Sequence, residues 1–163
     1  MARLLALDVG EVRIGVAVSD AMGILASPYT TLYASRDEQQ TWQAIQRLVE
    51  ETEAEGVIVG LPISLDGQIH AQGQRVQSFV ERLRSHITVP LSFWDERLST
   101  VEAERLLAER NQDEEGKHQR RTGRQRSRTK RRKPSQEIDA LAAAVILQEY
   151  LDHLGSEKKE TRL

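Results

Sequence analysis

Three places in this 163-residue chain put acids at the ends of apolar runs: Asp8, the adjacent pair Asp95 and Glu96, and Asp139. Residues 4–20 read LLALDVGEVRIGVAVSD, an apolar strand closed by Asp8, a Gly-containing turn and a second apolar strand. A carboxylate among apolar neighbours is costly unless a cation or hydrogen bonds compensate it. Divalent cations are one such compensation, and carboxylate oxygens suit Mg²⁺ or Mn²⁺. Gly10 can adopt a positive φ and lets the chain come close to a ligand. Arg13, across the turn, is placed to meet whatever anion the metal holds. The plainer reading of Asp8 is a turn starter, since Asp side chains hydrogen-bond their own backbone two residues on.

The other acids shift the balance. A short apolar strand, 89–94, runs into Asp95-Glu96-Arg97. Ser99 and Glu102 have the spacing of a capping box, so a helix is expected from about 100 to 110. Successive strand residues face opposite ways, so only one of Asp95 and Glu96 faces the Asp8 site. Glu137-Ile138-Asp139 opens the strongly apolar run Ala140–Leu147. Asp139 is expected in the first turn of that helix, where the helix dipole favours its ionised form. Each acid has a structural explanation of its own: a turn, an Arg97 partner or a helix start. All three holding at once in one small chain is the less economical account.

The elements that must position these acids follow from hydrophobic periodicity. Residues 3–9 and 12–19 read as a hairpin, with a third strand within 24–34. Ser35-Arg-Asp-Glu38 reads as a capping box opening a helix to about residue 54, with Trp42, Ile45, Leu48 and Val49 inward and Gly56 as its stop. Val57–Leu61 is a continuous apolar run, as a buried parallel strand requires. Residues 62–69 read as a loop. A helix over 70–85, the strand 89–94 and a helix over 135–153 complete the pattern, giving a mixed five-stranded sheet with helices on its faces. One domain is expected over 1–154, with a flexible basic loop at 110–134 inside it and a polar, frayed tail at 155–163.

Four segments resemble the YqgF/RuvX family of bacterial ribonuclease-H-like proteins: LALDVGEVRIGVAVSD (5–20), VIVGLPISLDG (57–67), FWDERLSTVEAERLL (93–107) and IDALAAAVILQEYL (138–151). They cover most of the chain in the family order. That family is described as nucleases processing pre-16S rRNA and as Holliday-junction resolvases. The resemblance implies a ribonuclease-H-like α/β fold and an acidic triad at Asp8, Glu96 and Asp139. Such a triad holds two Mg²⁺ or Mn²⁺ ions for displacement at phosphorus. Arg13, Arg97 and Gly10 are candidates for substrate contact, with Ser64 and Asp66 weaker ones. The four histidines have no ligand spacing and read as surface residues, His70 alone having a place near the site. The chain departs from the family in a longer, Arg-rich stretch at 110–133.

Charge supports a polyanionic partner. Of 23 Lys and Arg, ten lie within 117–133, which holds no acid. The remaining 13 face 25 Asp and Glu, so the rest of the chain carries a net −12. Arg predominates in the basic stretch, which favours bidentate phosphate contact through Arg124, Arg126, Arg128, Arg131 and Arg132. Nucleic acid is the expected partner, structured or single-stranded RNA before junction DNA, with a monomer or weak homodimer as the assembly. Only seven residues are aromatic, so base stacking is not an evident mode. The chain has no Cys, which removes thiolate metal sites and cysteine nucleophiles. No signal peptide or membrane span is read, so a cytoplasmic location is expected.

Other functions compete. A junction resolvase needs two sites related by a two-fold axis. A non-catalytic nucleic-acid-binding or transcription factor would not need the acids. An actin-like ATPase shares the Asp-x-Gly turn but uses two such domains, and this chain has room for one.

Neutralising Arg124, Arg126, Arg128, Arg131 and Arg132 together is expected to weaken nucleic-acid binding and flatten its salt dependence. If all five meet phosphates of a single strand, the log–log salt slope falls by roughly 3–4 at about 0.7 per contact. Filter binding across a salt series measures this, and an unchanged slope would make the stretch a solvated loop.

Overall fold

Five strands form one mixed sheet in the order β3-β2-β1-β4-β5. The computed structural model describes residues 2–63, 66–95 and 134–160, with the side chains of 134, 135 and 158–160 excepted. The strands are β1 (Leu4–Val9), β2 (Arg13–Ser19), β3 (Ala26–Tyr33), β4 (Gly56–Leu61) and β5 (Leu91–Asp95). The helices are α1 (Glu38–Thr52), α2 (Ala71–Arg84) and α3 (Pro134–Glu160). β1, β2 and β3 form an antiparallel meander, while β4 and β5 join β1 in parallel. The expected sheet is therefore observed. The helix expected over 100–110, and the basic stretch, lie outside the described residues.

Period-two alternation sorts the strands into two faces. Leu5, Leu7, Val9, Ile14, Val16, Val57, Val59 and Leu91 pack against Trp42 and Ile45 of α1 and Val76, Val80 and Leu83 of α2. Ala6, Ala17 and Ile58 face the other way and pack against Ala143, Ala144, Ile146, Leu147 and Leu151 of α3. β4 is buried along its whole length, since helices cover both faces. The α3 side is built from alanines on both partners, which brings the helix close to β1 and β2. α3 spans the sheet: its Gln136 reaches Tyr33 on β3, and its Tyr150 meets Trp94 on β5 edge-on at 5.7 Å.

Several boundaries differ from the sequence expectation. Asp37, not Ser35, caps α1, accepting the Gln39 N–H at 3.0 Å. Ser35 instead accepts the Asp37 N–H and so shapes the chain entering the helix. α1 ends at Thr52, close to the expected end, and its C-cap is not Gly56 but Glu53, in the left-handed conformation at φ 54°. Gly56 belongs to β4, where a Cβ would stand 3.0 Å from the Leu4 side chain. α3 runs on to Glu160, so residues 155–160 are helical rather than part of a frayed tail. Ser156 bonds back to the Asp152 carbonyl and His153 pairs with Glu157, which carries the helix through Gly155. His86 is half-buried, stacked on Trp42 at 5.5 Å.

Leu147 is fully buried between α3 and the sheet. Leu147→Ala is expected to cost about 2–5 kcal/mol from lost transfer energy plus a residual cavity. A urea titration reads this as a lower midpoint at unchanged slope.

Candidate active site

Asp8 lies next to last in β1, in phase with Leu4 and Ala6, so its side chain leaves the sheet on the α3 face. It is half-buried there. Its cross-strand partner on β2 is Gly15, whose partner on β3 is Thr31. The row Asp8–Gly15–Thr31 crosses three strands beneath the start of α3.

Gly15 decides how close α3 comes. A Cβ built on it would lie 1.9 Å from the Asp139 carbonyl oxygen and 3.1 Å from the Ala140 nitrogen. Those are backbone atoms, so no side-chain motion relieves the clash. Asp139 is thereby brought against the strand that pairs with Asp8. α3 begins at Pro134, a residue suited to the first helical position, and the acid of its first turn is Glu137. Asp139 therefore lies beyond the first turn, and the expected helix-dipole support gives way to a direct cation. Arg13 Nε donates to Asp139 Oδ2 at 2.6 Å, with side-chain exposures of 38% and 23%.

Three more residues fasten this corner. The Thr31 hydroxyl donates to the Gln136 carbonyl, and Gln136 Nε2 donates to the Tyr33 hydroxyl at 2.6 Å. Tyr33 is the cross-strand partner of Arg13. The sequence reading missed Thr31, Tyr33 and Gln136, because a strand known only to lie within 24–34 gives no register. Their signal was the two-residue spacing of Thr31 and Tyr33, which pairs with that of Gly15 and Arg13.

Gly10 has no positive φ; among the described glycines Gly23 and Gly67 do. Gly10 is needed for closeness instead. Its N–H donates to the Arg13 carbonyl at 2.9 Å, and a Cβ would stand 2.8 Å from that oxygen. This tight hairpin sets where Arg13 leaves the turn.

Register places Asp95, the acid that ends β5. Asp95 pairs with Leu61, whose side chain belongs to the α1/α2 face, and Trp94 faces α3. Asp95 is thus on the face opposite Asp8. Glu96, Arg97, Ser64 and the five arginines of the basic stretch lie outside the described residues. Asp66 accepts the Gln68 N–H and pairs with His70 at 3.3 Å, an exposed contact that holds the loop before α2. Among the described residues no three His, Cys, Asp or Glu side chains close around a cation position. A separate cavity of about 250 Å³ lies on the α1/α2 side, floored by Val9, Ile14 and Phe79. Arg75 and Arg82 line it, and each is paired, with Glu11 and Glu38.

Comparison with known proteins gives concordant results. A model of the RuvX family, described as Holliday junction resolvase, matches residues 2–153. A protein of Thermoanaerobacter pseudethanolicus named "Putative pre-16S rRNA nuclease" is 41% identical over 150 residues, 92% of this chain and 96% of the relative. A protein of the same name from Caldanaerobacter subterraneus subsp. tengcongensis is 42% identical over the same shares. Among solved structures, T. thermophilus RuvC in complex with a Holliday junction substrate aligns at TM-score 0.52 and 14% identity, over 95% of this chain and 97% of RuvC. That likeness bears on the fold, which is the ribonuclease-H-like fold of RuvC.

Gly15→Ala is expected to lift α3 off β2 and break the Arg13–Asp139 pair. The stability loss should be at least that of an overpacked core, about 1–3 kcal/mol. Chemical unfolding measures it, and a midpoint equal to wild type would contradict the close approach.

Proposed function

Because this chain belongs to the RuvX family, we propose that it is a divalent-metal-dependent nuclease that processes the 5′ end of pre-16S rRNA. The observation that carries the reading is the Gly15 contact, which sets the Asp139 backbone against the strand paired to Asp8. Two half-buried acids 131 positions apart in the chain are thereby set on the same side of the sheet. The names borne by the relatives support the substrate.

The donor set fits a hard cation. Asp8 and Asp139 offer carboxylate oxygens, the ligand type of Mg²⁺ and Mn²⁺. Glu96 is the third ligand in this reading, since Asp95 is on the opposite face. Two ions held by Asp8, Glu96 and Asp139 would supply charge neutralisation and an activated water for in-line displacement at phosphorus. The chain's own residues do the rest. Arg13 keeps Asp139 oriented through Nε and has further N–H donors for the substrate phosphate. Arg97 is the second candidate for that contact. Gly10 keeps the hairpin tight, so that Arg13 leaves the turn beside the acids. The Arg-rich stretch supplies the positive charge that an otherwise acidic protein needs to approach RNA. A monomer or weak dimer in the cytoplasm completes the reading.

The family description favours one second reading, resolution of four-way DNA junctions. It needs the same acids and a stable two-fold dimer.

Asp8→Asn, Glu96→Gln and Asp139→Asn are each expected to lower cleavage of a precursor rRNA fragment at least about 100-fold, or ~2.7 kcal/mol in the barrier. Asp95→Asn is expected to retain activity. Circular dichroism checks that each variant folds, and EDTA abolishes wild-type activity. Full activity in EDTA sinks the mechanism. A dimer that nicks junctions symmetrically and leaves precursor rRNA intact selects the second reading.

A further inference from the structure

Tyr33 ends β3 with 53% of its surface in solvent. It pairs across the strands with Arg13, so both side chains leave the sheet on the α3 face. Its hydroxyl is held by Gln136 Nε2 at 2.6 Å, three residues before Asp139. The hydroxyl thus has a protein partner, while the residue as a whole keeps 53% of its surface in solvent.

Sheet geometry gives the spacing. From Asp8 to Thr31 is two strand steps of about 4.8 Å, and from Thr31 to Tyr33 is two residues of about 3.4 Å each. The Cα atoms of Asp8 and Tyr33 are then roughly 12 Å apart. The ring stands off the acids but within reach of the same bound strand, with Arg13 between them.

We infer that Tyr33 is a stacking platform for an unpaired nucleobase of the strand whose phosphate lies at Asp8 and Asp139. This rests on the nuclease reading and adds to it the feature of the substrate that the site grips. A ring face accepts any base, so the contact is tolerant of sequence. It is selective for structure, because a base stacked inside a duplex has no free face to offer. The site thus takes single-stranded or frayed RNA beside the cut. Arg13 holds phosphate and Tyr33 holds the base.

The test uses full-length protein with Ca²⁺ in place of Mg²⁺, so that binding is read without turnover. Short single-stranded RNAs carry a fluorescent adenine analogue moved one position at a time. Wild type quenches the analogue at one or two positions. Tyr33→Ala abolishes that quenching and weakens binding roughly 5- to 150-fold, the range for one stacked base of about 1–3 kcal/mol. Tyr33→Phe keeps both, because the ring remains. Affinity for a blunt RNA duplex is the same for all three proteins. Several outcomes overturn the inference. If Tyr33→Ala binds and quenches like wild type, stacking is wrong while the nuclease reading stands. If Tyr33→Phe fails as badly as Tyr33→Ala, Tyr33 serves the Gln136 hydrogen bond instead. If Tyr33→Ala abolishes a wild-type dimer seen by sedimentation, the ring belongs to an interface between copies. If wild type neither binds nor cleaves RNA, the nuclease reading fails first and the inference with it.

Discussion

The missing side chain at Gly15 governs the relation between α3 and the sheet. Helices packed on sheets are normally held off by the side chains of both layers. Here the helix comes in until the Asp139 carbonyl occupies the place of a Cβ. Alanines at 6, 17, 143 and 144 continue the close contact along the helix, and Leu147 and Leu151 fill the space beyond. The helix is thus pinned at one end by backbone contact and farther along by apolar burial. Side chains at the pinned end have little freedom of position, which suits a site whose groups must converge.

At the pinned end Arg13 supplies the cation that faces the Asp139 carboxylate. The Arg13 guanidinium, 2.6 Å from Asp139, lowers the local negative charge without closing the site, since both side chains keep solvent access. A pair this exposed contributes little to stability, about 1 kcal/mol at most. Its value lies in orientation: the tight Gly10 hairpin fixes Arg13, and Arg13 fixes the Asp139 carboxylate.

The edge strand β3 matters to the site as much as the central one. Unpaired edges invite association with other chains. β3 carries Pro28, and Tyr29 is an extra residue between the pairs Val16–Thr30 and Ala17–Pro28. Such a bulge twists an edge and breaks its ladder. α3 also covers this strand: the Gln148 side chain accepts the Ala26 N–H and donates to the Ile24 carbonyl, and Gln136 receives Thr31. β3 is thereby locked to α3 at both ends, which is why Thr31 and Tyr33 hold definite places beside Asp139.

Local chemistry made much of this protein legible in its sequence. The hairpin, the buried run of β4 and the inward stripe of α1 all come from periodicities a few residues long, and they appear where expected. Caps and ends were less legible. Asp37 outcompeted Ser35, and Glu53 took the left-handed conformation without a glycine, because several residues there meet the local requirement and packing selects among them. What tertiary structure alone decided is the company each acid keeps. Asp139 reads as a helix-start charge, yet its partner is Arg13, 126 positions away. Gly15 reads as an unremarkable strand glycine until α3 is docked on it. Asp95 is separated from Asp8 only once β5 is registered against β4. Sequence spacing carries the period of a strand or helix, but which faces meet is set by burial of whole layers, and that is a property of the assembled sheet.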